Sequence, residues 1–138
     1  MTVKDHFSSL TYIASLPRKR AKYVAYELDH LFGLIGYPSI FYTDNGKEFV
    51  AKEILELLKD INPNILSVTG RPRTPRDQGS VESMNKLIKK VLASIESEVR
   101  TSGKTPNWTN LLGRVMAAVN NQKGRSRCAE TVYKKVFG

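Results

Sequence analysis

The sequence predicts an α/β fold, a sheet with helices packed on its faces. Three observations predict it. Compact β-branched and aromatic runs occur at 39–43 (S-I-F-Y-T) and 65–68 (I-L-S-V), each closed by turn residues. Longer segments around them carry apolar residues at the three-and-four spacing of amphipathic helices. No internal repeat, low-complexity tract or long linker divides the 138 residues, so residues 1–138 are expected to form one layered domain.

The elements follow in order. Residues 1–7 and 11–16 contain short runs, T-V-K-D-H-F and T-Y-I-A-S-L, and Ser8 and Ser9 between them read as a tight hairpin. Pro17 and three basic residues, Arg18, Lys19 and Arg20, lead into a helix with Tyr23, Val24, Leu28, Leu31, Phe32 and Ile35 on its inner side. Gly36 and Pro38 stop that helix. The strand at 39–43 runs straight into D-N-G-K-E-F and a second helix at about 51–59. Asn62-Pro63-Asn64 is a turn, and 65–68 is the next strand.

Residues 70–79 hold two Gly, two Pro and three Arg, which is loop chemistry. From Ser80, read as an N-cap, Val81, Met84, Leu87, Ile88, Val91, Leu92 and Ile95 predict a helix to about residue 100. A polar break, T-S-G-K-T-P, precedes a third long helix with Trp108, Leu111, Leu112, Val115, Met116 and Val119, in which Trp108 reads as a core anchor. A last short helix ends at Gly138.

With 41% apolar and 25% charged residues, the chain has the composition of a globular domain able to bury a core. No apolar run approaches the roughly 18 residues of a membrane span, and M-T-V-K-D-H-F lacks a hydrophobic signal region, so a nuclear or cytoplasmic location, not a secreted one, and no membrane partner are expected. One cysteine, Cys128, excludes an intramolecular disulfide, and with only His6 and His30 beside it no Cys/His zinc module can form. Any metal would be held by oxygen. The net charge of +9 is unevenly placed. Residues 1–69 carry eight Lys/Arg and eight Asp/Glu, whereas 70–138 carry fourteen against five. A neutral half joined to a basic half suits a polyanion.

Two carboxylates stand out. Glu82 is expected in the first turn of its helix, off the apolar stripe, on a face with Asn85, Lys86 and Lys89. An acidic residue at a helix N-terminus is ordinarily explained by the macrodipole. Here Arg71, Arg73 and Arg76 in the preceding loop, and the lysines after it, also suit a nucleic-acid backbone approaching a carboxylate-held metal. Asp44 ends a strand just before Asn45-Gly46, where it could simply cap its own turn, but strand ends are also where open α/β sheets bind ligands. Converging, Asp44 and Glu82 would hold Mg²⁺ or Mn²⁺. Two such ions about 4 Å apart activate the attacking oxygen and stabilise the leaving one in phosphoryl displacement.

T-D-N-G-K-E-F at 43–49 and G-R-P-R-T-P-R-D-Q-G-S-V-E-S-M-N-K-L-I-K-K at 70–90 resemble the catalytic core of retroviral and retrotransposon integrases, the D-D-E recombinases with a ribonuclease-H-like fold. D-H-F-S at 5–8, F-G-L-I-G-Y-P-S-I at 32–40 and the closing T-V-Y-K-K-V-F-G, similar to gypsy-type integrases, extend the resemblance over nearly the whole chain. The 37 residues between Asp44 and Glu82 are close to the spacing of that family.

The resemblance implies a mixed sheet flanked by helices, with Asp44 and Glu82 as the second and third catalytic, metal-binding carboxylates. It makes Gln78 and Gly79 the end of the active-site loop, with Gly70 and Gly79 as loop hinges. Gln78, Lys86 and Lys89 become DNA contacts, beside Arg71, Arg73 and Arg76, which their charge already suits to a nucleic-acid backbone, and Asn45 and Gly46 the turn that shapes the site. It further implies Mg²⁺ or Mn²⁺ as cofactor, element ends and target DNA as partners, and a homo-oligomer. One departure is plain: the family's first carboxylate lies on an initial, central strand, and this chain begins at the second. An N-terminally truncated core is therefore expected, inactive alone, with Asp5 a poor substitute. The rivals are a domesticated, non-catalytic DNA-binding protein, a ribonuclease H-type nuclease, and a decayed or misread reading frame.

Overall fold

The computed structural model describes residues 1–138 except 44, 45, 48, 50, 71–74 and 123–129, and describes 75–80 by backbone alone. The chain divides into two compact units, residues 1–15 with 80–138, and residues 16–79.

In the first unit, β1 (Thr2–Lys4) and β2 (Thr11–Ile13) pair antiparallel, with Val3 opposite Tyr12. Asp5 closes the hairpin. Its Oδ2 accepts from the N–H and the hydroxyl of Ser8, both at 2.6 Å, and its N–H donates to Leu10 O at 2.8 Å. These bonds hold a turn in which Ser9 takes a left-handed φ of 66°. The paired strands are three residues each, shorter than the runs that announced them; at the turn end, the Asp5 carboxylate draws the chain into its bonds with Ser8 directly after Lys4.

Helices α3 (Pro75–Thr101) and α4 (Trp108–Asn120) supply most of this unit's core. Ile13 of β2 packs with Ile88 and Ile95 of α3 and with Leu111, Val115 and Val119 of α4, and Met84, Leu87, Val91, Leu92, Leu112 and Met116 pack around them. The three-and-four spacing set this pattern, since it brings all these side chains to one stripe per helix. Gly103, at φ 76°, ends α3 in a conformation that a Cβ would strain, and Lys104 N–H returns to Val99 O at 3.2 Å. Asn107 caps α4, accepting from Thr109 N–H at 3.2 Å. α5 (Val132–Phe137) is a short helix capped by Thr131.

Two expectations for this unit need correcting. The helix of Glu82 starts at Pro75, not at Ser80. Proline at a first helical position lacks only an N–H that would go unbonded there, and its fixed φ already suits a helix, so Pro75 starts the helix instead of prolonging the loop. Trp108 is not a core anchor: it is the first residue of α4 and 50% exposed, one turn ahead of the inward-facing Leu111.

In the second unit, α1 (Ala21–Ile35) and α2 (Lys52–Ile61) pack together beside the parallel pair β3 (Ile40–Thr43) and β4 (Leu66–Thr69). Val24, Leu28, Leu31 and Phe32 of α1 and Ile54 and Leu58 of α2 are buried. Phe32 meets Phe41 edge-on, with ring centroids 6.2 Å apart. Gly36, at φ 87°, ends α1 with its N–H on Phe32 O at 2.9 Å.

The described strands form two separate two-stranded sheets, β1-β2 and β3-β4. Along β3, Phe41 and Thr43 are buried while Ile40, 60% exposed, and Tyr42 face out; Ile40 lies across from Leu66, itself 57% exposed. Among the described residues, no helix is long and apolar enough to cross a membrane.

Candidate functional site

The described part of α3 has two faces. Met84, Leu87, Ile88, Val91, Leu92 and Ile95 belong to the core, and Glu82, Asn85, Lys86 and Lys89 are exposed. Glu82, Lys86 and Lys89 follow one another at i, i+4 and i+7, so the carboxylate and both ammonium groups share one strip of helix surface. Because α3 begins at Pro75, Glu82 is its eighth residue and not part of a first turn. The macrodipole acts within about one turn of a helix end, so it does not account for a carboxylate at this position. None of the salt bridges among the described residues involves Glu82, although Lys86 stands four positions on. Glu82 is thus a hard-oxygen donor on a rigid, packed helix, open to solvent, which fits the ligand preference of Mg²⁺ or Mn²⁺.

The second element is the common end of β3 and β4. In this parallel pair Thr43 lies beside Thr69, and Gly70 N–H donates to Thr43 O at 2.8 Å. The chain therefore leaves β3 toward D-N-G-K-E-F, and β4 toward the arginine-rich segment, from neighbouring positions. Gly70 is buried there, and a Cβ added to it would collide with the Tyr42 hydroxyl. The absent Cβ lets the Tyr42 side chain lie against the backbone.

Asp44, Asn45, Arg71 and Arg73 lie outside the described residues, as do the side chains of Arg76 and Gln78. The backbone places Arg76, Gln78 and Gly79 in the first turns of α3, not in a loop ahead of it. Among the described residues, no group of three or more His, Cys, Asp or Glu side chains is gathered as a metal centre requires. Asp5 is committed to its hairpin. Partial burial pushes its carboxyl pKa up, but hydrogen bonds from the Ser8 side chain and from the backbones of Ser8 and Phe7, with the His6 charge, hold it below 3.8.

One structural pair escaped the sequence. Asn120, the last residue of α4, is buried with Thr11; its Oδ1 accepts from Thr11 N–H at 2.9 Å and its Nδ2 donates to Thr11 O at 2.8 Å. The side-chain amide pairs with β2 as a neighbouring strand would. In the sequence Asn120 opens a polar run, N-N-Q, which reads as the frayed end of a helix.

No family model matches the chain. It is 26% identical over 135 residues to KRAB-A domain-containing protein 2 of Homo sapiens, covering 98% of this chain and 26% of the relative. It is 38% identical over 64 residues to the Pol polyprotein of equine infectious anemia virus (strain Wyoming), covering 46% of this chain and 5% of the relative. The chain thus spans about a quarter, or far less, of these relatives. Among solved structures it matches a chain of the simian T-cell lymphotropic virus intasome in complex with PP2A regulatory subunit B56 gamma. The TM-score there is 0.84 at 23% identity, over 99% of this chain and 47% of the other. The catalytic core domain of BIV integrase matches with a TM-score of 0.79 at 24% identity, over 98% and 82%. The HTLV-2 integrase catalytic core domain, in complex with magnesium and in a trimeric form, matches at 0.78 and 19%, over 96% and 80%. The fold is that of these retroviral integrase cores, a ribonuclease-H-like fold.

Proposed function

We propose that this chain is a retroelement integrase core, built for the divalent-metal-dependent cleavage of DNA phosphodiesters and the joining of DNA strands. One observation carries the proposal: Glu82, too far along α3 for the macrodipole to account for it, stands exposed on a packed helix in line with Lys86 and Lys89, in a chain with the integrase-core fold and a T-D-N-G sequence that begins at Thr43, the last residue of β3. Asp44 and Glu82 are the carboxylates that would hold Mg²⁺ or Mn²⁺. Such ions supply activation of the attacking oxygen and charge neutralisation at the leaving one. The HTLV-2 core in complex with magnesium supports that choice of metal.

The remaining parts follow from chemistry on the chain. Lys86 and Lys89, with Arg71, Arg73, Arg76 and Gln78 ahead of them, bind the DNA backbone and hold a phosphodiester against the carboxylates. The attacking group is water or a DNA 3′-hydroxyl, and no covalent enzyme intermediate forms. The likeness to an intasome chain and to a trimeric core supports DNA and further copies of this chain as partners. Asp44 and Glu82 match two of the family's three catalytic carboxylates, and loss of either is expected to lower ion affinity and charge neutralisation together.

A second reading is favoured by one finding. A protein of Homo sapiens, KRAB-A domain-containing protein 2, matches 98% of this chain, so a cellular role apart from a mobile element, with DNA binding but no catalysis, is the alternative. One experiment separates the two. The purified chain is offered labelled duplex ends in Mg²⁺ or Mn²⁺, and both binding and joining are measured. An integrase core binds DNA with a steep salt dependence, and Glu82→Gln and Asp44→Asn alter its metal-dependent binding. Binding indifferent to both substitutions favours the non-catalytic role. Joining by the wild-type chain, lost in Glu82→Gln, would show that two matched carboxylates suffice.

A further inference from the structure

One residue in four of this chain is charged, yet two stretches, 31–43 (L-F-G-L-I-G-Y-P-S-I-F-Y-T) and 61–70 (I-N-P-N-I-L-S-V-T-G), hold no Lys, Arg, Asp or Glu. The structure brings them side by side as β3 and β4. In that parallel pair Ile40 is opposite Leu66 and Tyr42 is opposite Val68, so these four side chains form one face of the sheet. Ile40, Tyr42 and Leu66 are exposed, and Val68 is half-buried.

The alternation along β4 shows that this exposure is built in. Its polar residues, Ser67 and Thr69, lie across from the buried Phe41 and Thr43, while its apolar ones, Leu66 and Val68, take the opposite face. A strand with one wet face ordinarily turns its apolar residues inward. Here the pattern is reversed. The stretch ahead of β3 adds Leu34, Ile35 and Tyr37, all exposed and within six residues of Ile40. Apolar surface gathered in this way marks an interaction site.

Charge decides the occupant. An uncharged face offers no cation to a phosphate and no ion pair to an acidic or basic partner. Two copies of a chain with a net charge of +9 repel one another wherever their basic surfaces meet, and this face lets them approach without that cost. Sheets pack face to face at about 10 Å with their side chains interdigitating. A flat apolar face is complementary to itself, which a two-fold contact requires. Ile40 and Leu66 also lie at the end of the pair away from Thr43 and Thr69, roughly 10 Å along the strands. A copy centred on them stands back from the T-D-N-G end.

We infer that the outer face of β3 and β4, centred on Ile40 and Leu66, is a two-fold docking surface for a second copy of this chain. The inference rests on the integrase-core reading only for the expectation that copies associate; the surface itself follows from charge and exposure.

The test is the mass of the full chain over a series of concentrations, by sedimentation equilibrium, with the duplex-DNA affinity of the same samples read by fluorescence anisotropy. The wild-type chain is expected to shift from the mass of one chain to that of two. Leu66→Lys enters a two-fold contact twice and raises the dimer dissociation constant about a hundredfold, tenfold for each copy. Ile40→Lys, across the sheet, does the same, and both variants keep the wild-type circular dichroism because the two side chains are exposed in the single chain. Ile40→Val keeps the face apolar and keeps the dimer, as does Trp108→Lys, a change at an exposed apolar residue of the other unit. A dimer that survives both lysine variants on the face, or that Trp108→Lys dissociates equally, would overturn the surface. A wild-type chain that stays monomeric while binding duplex DNA would overturn the surface and leave the integrase-core reading standing. A dimer lost in the face variants, from a chain that does not bind duplex DNA, would support the surface and remove that reading.

Discussion

The side-chain amide of Asn120 is hydrogen-bonded in both directions to the backbone of Thr11, across 109 positions of sequence, with both residues almost wholly buried. A helix end thereby takes the place of a strand neighbour on β2. Because β2 also sends Ile13 into the core with Val115 and Val119, this polar clamp fixes the register in which hairpin and helix pack.

Replacing Asn120 by Leu removes both bonds and leaves Thr11 N–H and C=O buried without partners. Each unsatisfied group costs about 1–3 kcal/mol, so a destabilisation of about 2–6 kcal/mol is expected in urea unfolding. A loss below about 0.5 kcal/mol would show that the clamp does not hold the hairpin.

Asp5 governs the acid side of the stability profile. Its folded pKa lies below the unfolded value, so the carboxylate contributes stability that is fully present above the unfolded pKa, 3.8, and is lost as pH falls through the folded pKa. Asp5→Asn keeps a weaker acceptor for Ser8 and does not titrate. The stability gap between wild type and variant, measured by thermal melting, is expected to be constant from pH 7 to pH 5 and to shrink below 3.8. A gap unchanged at pH 2.5 would contradict the assignment.

Gly70 and Tyr42 are coupled through space. In Gly70→Ala the new Cβ meets the Tyr42 hydroxyl, and the half-exposed ring has to move. Overpacking of this kind costs about 1–3 kcal/mol. Removing the hydroxyl in Tyr42→Phe is expected to recover part of that cost, so the double-mutant cycle should show a favourable coupling energy. Strict additivity would mean that the ring yields without cost.

The α3 strip makes its own prediction. Glu82, Lys86 and Lys89 are exposed, so their substitution by Gln should move the melting temperature little. In a chelator, Glu82→Gln is expected to bind duplex DNA at least as tightly as wild type, because a carboxylate that repels phosphate is gone. With Mn²⁺ present, any gain in affinity seen for wild type should be absent. The same anisotropy titration reads both, and an equal Mn²⁺ response in the two proteins would remove Glu82 from the metal site.

Much of the architecture is legible in the residues. Most of the inner faces of α1, α3 and α4 follow from apolar spacing, although Ile35 at the end of α1 and Val81 near the start of α3, both read as inward, are exposed; the end of α1 follows from Gly36, and β3 and β4 from short runs bounded by turns. The start of α3 is less legible, since Pro75 and Gly79 both punctuate loops and only the helical backbone shows that proline sits where it helps. Trp108 misleads in the same way: size and apolarity favour burial, but one turn of helix decides which side it faces.

The sequence by itself determined the helices, the strand runs, the two acidic motifs and the basic second half, because each is written in neighbouring residues or in composition. Tertiary structure alone decided the Asn120–Thr11 clamp and the shared end of β3 and β4 that puts Gly70 against Tyr42. The physical reason is distance along the chain. Local periodicity fixes which face a side chain takes on its own element, whereas the partner it meets depends on packing between elements that no local pattern encodes.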